Sequence, residues 1–323
     1  MSIKTKVTEL LGIKYPVIQG CMQWISTASF VAAVSEAGGL GILSAATQPD
    51  VQALREEIRA VRRKTDKPFA LNVSIFPTIN APDYQSMFAA AMEEGVRIIE
   101  TAGRAPQEFM DFLKKNGAIV MHKCTTVKHA LKAESIGCDL VVADGCECAG
   151  HPGENDIGSI VLSARAAEEL HVPFISCGGF SNGRGLAAAL MLGAGAVTMG
   201  TRFMATEECP ILPQIKEYLA QNITEMDTML IMRAYKNTIR AYANDTSKEI
   251  LRMEKTGAPF EQIAPLAAGR RGRAVLLESA DMRDSVLSMG LSAGLVHDIV
   301  SVRELIERTV REAKACIRQY AAA

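Results

Sequence analysis

The sequence predicts an α/β fold, a (β/α)8 TIM barrel with a C-terminal helical cap, and three features carry that prediction. Short β-branched runs alternate with longer amphipathic stretches eight times before about residue 205. The runs are apolar on both faces, as strands of a parallel sheet covered by helices must be. Polar and glycine residues gather at one end of these runs, where the βα loops of such a barrel converge. The 323 residues suit a barrel of about 250 residues plus an appendage. With 48% hydrophobic and 22% charged residues, a large core is available.

In chain order the strands read PVIQG (16–20), LGILS (40–44), FALNV (69–73), RIIET (97–101), IVMHKC (119–124), LVVADG (140–145), PFISCGG (173–179) and AVTMGT (196–201). Helices are expected between them, for example over 51–65 and 126–137. In the first of these Val51, Leu54, Ile58 and Val61 form one apolar stripe at helical spacing. Gly95, Gly117, Gly137 and Gly193 each follow a helical run, where a left-handed C-cap is expected. A doubly wound sheet would place a glycine fingerprint after its first strand, and here that strand ends in Gln19-Gly20-Cys21-Met22-Gln23. The near-match Gly183-Arg184-Gly185-Leu186-Ala187-Ala188 follows the seventh strand without an acidic ribose partner downstream, and reads as an ordinary helix start.

After about residue 210 the pattern changes. Residues 211–260 look helical and amphipathic with no strong strand signal, and 257–274 read as a loop followed by short helical pieces. Val302, Leu305, Ile306, Thr309 and Val310 mark a final amphipathic helix over 301–320. The expected division is therefore a barrel over 1–210, a mainly helical cap over 211–300, and a terminal helix over 301–323 returning to the barrel.

A formal net charge of −1 and the lack of a basic run argue against nucleic acid or a membrane surface as partner. The N-terminus lacks the pattern of a secretory leader, and no apolar stretch reaches the ~20 residues needed to span a bilayer. The eight cysteines sit mainly in apolar runs and read as reduced thiols of a cytoplasmic protein. Cys146 and Cys148 form the only close pair, so no metal site is expected. A homodimer would suit a capped barrel, although no patch marks its interface.

The strand ends are where chemistry is expected. Gly178 and Gly179 after strand seven, with Gly200 and Thr201 after strand eight, fit a phosphate cradle, because glycine lets the backbone approach an anion. Their structural alternative is simple tight turning. His151 stands between Gly150 and Pro152 in the polar loop after strand six, outside any apolar stripe, and its near-neutral pKa suits proton exchange. Lys123 ends a buried strand and Asp144 ends its neighbour; a purely structural Lys–Asp pair is the alternative to a catalytic lysine. His122 lies within a strand and His129 on a helix face, so both are weaker candidates, while His171 and His297 receive no role.

Residues 19–24 (QGCMQW), 37–41 (AGGLG), 67–72 (KPFALN), 122–125 (HKCT), 144–154 (DGCECAGHPGE), 177–180 (CGGF) and 199–203 (MGTRF) together resemble the nitronate monooxygenase family, once called 2-nitropropane dioxygenases. The resemblance continues at 208–210 (ECP) and 231–233 (IMR), and is nearest to the FMN-dependent NADH:quinone reductase subgroup. Enoyl-acyl carrier protein reductases of the FabK type share the barrel and the Gly-His loop. The resemblance implies FMN, with its phosphate at Gly178, Gly179, Gly200 and Thr201 and its ring near Met22, Gln23, Asn72, Lys123, Asp144 and Gly150. It puts His151 beside that ring and Lys123 at the pyrimidine edge, with Ser74 and Pro77 in a loop running to Asp83 that admits nicotinamide. Residues 72–80 depart from the subgroup pattern, and Cys146 and Cys177 stand where Phe and Ser are usual.

The expected activity is hydride transfer from NAD(P)H to FMN and then to a quinone-like acceptor. Oxidation of alkyl nitronates with O2 is the alternative, and an enoyl reductase or a non-catalytic flavin-binding protein are further ones.

Overall fold

Each apolar run in the first two-thirds of the chain forms a strand of one parallel sheet. The computed structural model describes residues 2–76 and 82–321. The strands are β1 (Val17–Gln19), β2 (Gly41–Ser44), β3 (Phe69–Ile75), β4 (Ile98–Gly103), β5 (Ile119–Cys124), β6 (Leu140–Asp144), β7 (Phe174–Cys177) and β8 (Ala196–Met199). They pair in sequence order, with β8 returning to β1. Gln19 N–H to Leu40 O (3.0 Å) and Leu40 N–H to Val17 O (3.1 Å) close the remaining seam between β1 and β2. The Gln19 side chain reinforces it by accepting from Ile42 N–H at 3.1 Å. The result is the expected TIM-type barrel.

Helices α1 (Lys6–Leu11), α2 (Ala28–Glu36), α3 (Val51–Arg62), α4 (Tyr84–Glu93), α5 (Met110–Lys115), α6 (Val127–Ser135), α7 (Ser159–Glu169) and α8 (Gly183–Met191) occupy the first 191 positions. In α3 the buried residues are Leu54, Ile58 and Val61, members of the predicted stripe. Helix α1 plugs the N-terminal end of the barrel: Val7 and Leu11 join Ile18, Ile42 and Ile98 in the lumen core, and Thr5 Oγ1 donates to Gly195 O at 2.7 Å. Gly41 lets α2 lie against β2, since a Cβ there would stand 2.3 Å from Val31 O.

Beyond β8 come α9 (Thr201–Met204), α10 (Pro213–Asn222), α11 (Asp245–Lys255), α12 (Phe260–Ile263), α13 (Gly269–Ala274) and α14 (Val302–Ala321). The segment expected to lack strands contains an antiparallel hairpin, β9 (Thr228–Ile231) and β10 (Ile239–Tyr242). Its strands are four residues long and only partly buried, so no alternation stands out. Its connection uses Met232 and Lys236 at positive φ in place of the Asn-Gly or Asp-Gly that announces a tight hairpin. Ile231, Met232, Ala241, Ile250 and Ile263 give this region a small core of its own. Helix α14 lies against α8, where Glu312 Oε2 accepts from Gly183 N–H at 3.1 Å. No described helix is long and apolar enough to cross a membrane.

Candidate active site at the barrel mouth

Side chains alternate inward and outward along a strand, so each strand sends every second residue into the lumen. Ile18, Ile42, Ala70, Ile98, Met121, Val142, Ile175 and Ala196 form a continuous apolar layer there. One step of two residues toward the C-terminal ends brings Gly20, Ser44, Asn72, Glu100, Lys123, Asp144, Cys177 and Thr198. The greasy barrel thus becomes polar in a single layer, and that layer is the floor of the site.

Asn72 Nδ2 donates to Glu100 Oε2 at 2.6 Å, and Ser74 Oγ donates to Asn72 Oδ1 at 3.0 Å. Lys123 Nζ lies 3.8 Å from Asp144 Oδ2. Glu100 is 0% exposed. Its Oε1, together with Asp144 Oδ1 and Thr198 Oγ1, has no hydrogen-bond partner among the described residues. Three orphaned oxygens in one buried layer are costly unless something else satisfies them. Burial raises the Glu100 pKa, Lys123 and Asn72 oppose that, and Asp144 adds to it. Burial works against the Lys123 charge, yet Glu100, Cys177 and Asp144 outweigh it and hold the ammonium well above its ordinary range. The Cys21 thiol is pushed up to about 12, first by burial and then by Glu100, so it is a neutral lining group.

Above this floor, Gly178 and Gly179 both adopt positive φ (92° and 82°), which glycine alone takes without strain. A Cβ on Gly178 would stand 2.7 Å from Gly145 O. Thr201 is buried and its oxygen accepts from Gly290 N–H at 3.1 Å, which leaves the hydroxyl proton free to be donated. A Cβ on Gly200 would meet only Met22 Sδ, at 4.0 Å, so the wall there is open. The first turn of α8 is already engaged, by Glu312 at Gly183 and by Asn182 at Gly185. Glu147 likewise occupies the start of α7, accepting from Ser159 N–H at 2.9 Å.

His151 sits at the rim with its ring against Phe76, centroids 5.3 Å apart. His151 is exposed overall, yet desolvation by the surrounding protein lowers its pKa, against smaller opposing effects of Asn237 and Glu154, so the imidazole is neutral at neutral pH. The hairpin holds its loop. Gly150 and Arg240 exchange backbone hydrogen bonds of 3.1 and 2.7 Å, Arg240 Nε donates to Cys146 O at 3.0 Å, and Glu154 accepts from Thr238 N–H at 3.0 Å.

A family model described as nitronate monooxygenase matches residues 4–312. The chain belongs to the nitronate monooxygenase family. This is a family of flavin-dependent enzymes, and the chain is an oxidoreductase. A 5-hydroxy-7a-methyl-1-oxo-octahydro-1H-indene-4-carboxyl-CoA dehydrogenase of Mycobacterium tuberculosis is 32% identical over 97% of both chains. The enzyme of the same name from Rhodococcus jostii is 36% identical over 69% of this chain, an alignment that spans 62% of that relative's length. A nitronate monooxygenase of Paraburkholderia phytofirmans is 32% identical over 64% of this chain and 68% of its own. Among solved structures, FabK from Thermotoga maritima superposes with a TM-score of 0.92 at 32% identity, over 99% of each chain.

Within this family member, Asn72, Lys123 and Asp144 share the lumen floor, and Gly178, Gly179, Gly200 and Thr201 stand at the strand ends above it. Met22 lies beside Gly200. Gln23 is exposed, and its Nε2 donates to Ala46 O at 3.0 Å, just beyond the end of β2. Ser74 touches the floor through Asn72, whereas Pro77 lies outside the described residues. Asp83 caps α4, accepting from Ser86 N–H at 3.0 Å. Phe76, Glu154 and Arg240 carry no role that the sequence suggested, whereas Glu100 stands there as the polar end of strand four. Glu100 alone left a signal there, a carboxylate two residues beyond Ile98 in an otherwise apolar strand.

Proposed function

We propose that this family member is an FMN-dependent reductase that takes hydride from NAD(P)H and delivers it to a quinone-like acceptor. The observation that carries the reading is the lumen floor: three orphaned buried oxygens and a lysine held charged, beneath a glycine-lined opening. The residues fit a flat, polar, phosphate-bearing ring system such as FMN. When bound, that group supplies a two-electron carrier between two substrates.

Lys123 would face the pyrimidine edge, where its fixed positive charge stabilises negative charge in a water-poor site. Asp144 and Glu100, as carboxylates, keep that lysine protonated. Thr201 donates its hydroxyl, and the amides around Gly178, Gly179 and Gly200 lie within backbone reach of a phosphate. His151, neutral and braced by Gly150 on the hairpin, offers a ring nitrogen to the acceptor, while Phe76 supplies an apolar wall for a planar substrate.

A second reading keeps the NAD(P)H half-reaction and replaces the quinone with an acyl thioester. It is favoured by coverage: the Mycobacterium tuberculosis CoA-ester dehydrogenase aligns over 97% of both chains, against 64% of this chain for the Paraburkholderia phytofirmans nitronate monooxygenase. Anaerobic mixing of FMN-loaded protein with NADH or NADPH tests the shared half. Rapid bleaching reversed by a quinone supports the first acceptor, and reversal only by an enoyl thioester supports the second. A flavin bleached by an alkyl nitronate and by neither nicotinamide would contradict both.

A further inference from the structure

The structure contains a second concavity, on the outer flank of the barrel, that the flavin reading does not use. A cavity of about 530 Å³ opens between α14, the start of α8 and the segment preceding α14. Its size is that of a small-molecule site. Its charged lining comprises Arg184, Arg202 and Arg308 against Asp298 and Glu312, an excess of one positive charge before His297 is counted. The carboxylates are already committed. Asp298 bonds Arg202 (2.7 Å) and Arg308 (2.5 Å), and Glu312 accepts from Gly183 N–H (3.1 Å). Two guanidinium groups thus share one carboxylate, and Arg184 has no carboxylate partner among the described residues. Arg202 is 2% exposed, so water neutralises little of its charge. Burial, and after it the nearby Arg308, pull the Arg202 pKa down against Asp298.

We propose that this cavity is a binding site for a small phosphomonoester. Arg184 would take the phosphate, since a guanidinium binds its oxygens in a two-pronged fashion, and Arg308, whose fork already engages Asp298 at 2.5 and 3.1 Å, would add its charge alongside. Leu295, exposed at the cavity wall, would cover the organic body. The site lies apart from the glycine cradle but borders it: Arg202 follows Thr201, and Asn182 lies three residues beyond Gly179.

Calorimetric titration of protein loaded with FMN and then freed of unbound FMN, itself a phosphomonoester that would compete, tests the assignment with glucose 6-phosphate at low salt. The expected result is one saturable site per chain that ignores glucose and weakens as salt is raised. Affinity should fall about tenfold or more in Arg184→Gln and in Arg308→Gln, from loss of a charge-assisted contact. It should be unchanged in Arg165→Gln, on the exposed face of α7. Circular dichroism separates loss of contact from loss of fold, and Arg184 is an exposed position whose replacement leaves packing intact. Absence of saturable binding, equal affinity in both cavity variants and wild type, or binding seen only when the barrel holds no FMN would overturn the proposal. The last outcome would put the phosphate in the barrel cradle. If the barrel retains no FMN, the Arg184 and Arg308 variants still decide the cavity, so the two readings fail separately.

Discussion

Lys123 and His122 are neighbours on one strand and face opposite worlds. Lys123 points into the lumen among carboxylates, and removing its charge takes away the one cation of the floor. Lys123→Met is expected to slow NADH-driven bleaching of bound flavin by roughly 10²-fold, the scale of losing one preorganised electrostatic group; stopped-flow absorbance reads it. His122 points outward and pairs through Nδ1 with Thr101 Oγ1 at 2.8 Å. Burial lowers its pKa from 6.5 to about 4, with Thr101 opposing. The unfolded chain therefore binds more protons than the folded one between those values. Stability should fall as pH drops from about 6.5 to 4, at up to about 1.4 kcal/mol per pH unit from this one group. Urea midpoints across that window should show the slope, and His122→Gln should flatten it.

At the scale of elements, the βα units were legible because each buried strand is an apolar run bounded by turn residues. The glycines and His151 were legible because they break that pattern at one end. What was not legible depends on contacts between distant segments. Phe76 meets His151 across β3 and β6, and the hairpin that grips the His151 loop consists of short, half-buried strands with no turn signature. Two variants test these elements. Gly41→Ala forces a Cβ against Val31 O and should cost about 1–3 kcal/mol in chemical denaturation, the range for overpacking a close contact. Arg240→Ala removes the tie to Cys146 O and should lower turnover while leaving flavin content near one per chain; a loss of flavin with unchanged turnover per bound flavin would refute that role.

For the whole molecule, a sealed barrel divides the labour. Helix α1 and the apolar layer close one end, so the lumen cannot act as a channel, and every unsatisfied polar atom of that layer's neighbour faces the other end. Asn72, Glu100, Lys123, Asp144 and Thr198 are affordable together only if a partner completes their hydrogen bonds. We propose that this partner is FMN. The visible absorption spectrum of gently purified protein, with the chromophore released by heat and identified by chromatography, tests it most directly. A flavin spectrum and FMN at about one per chain are expected. A colourless protein that also fails to take up added FMN would contradict it.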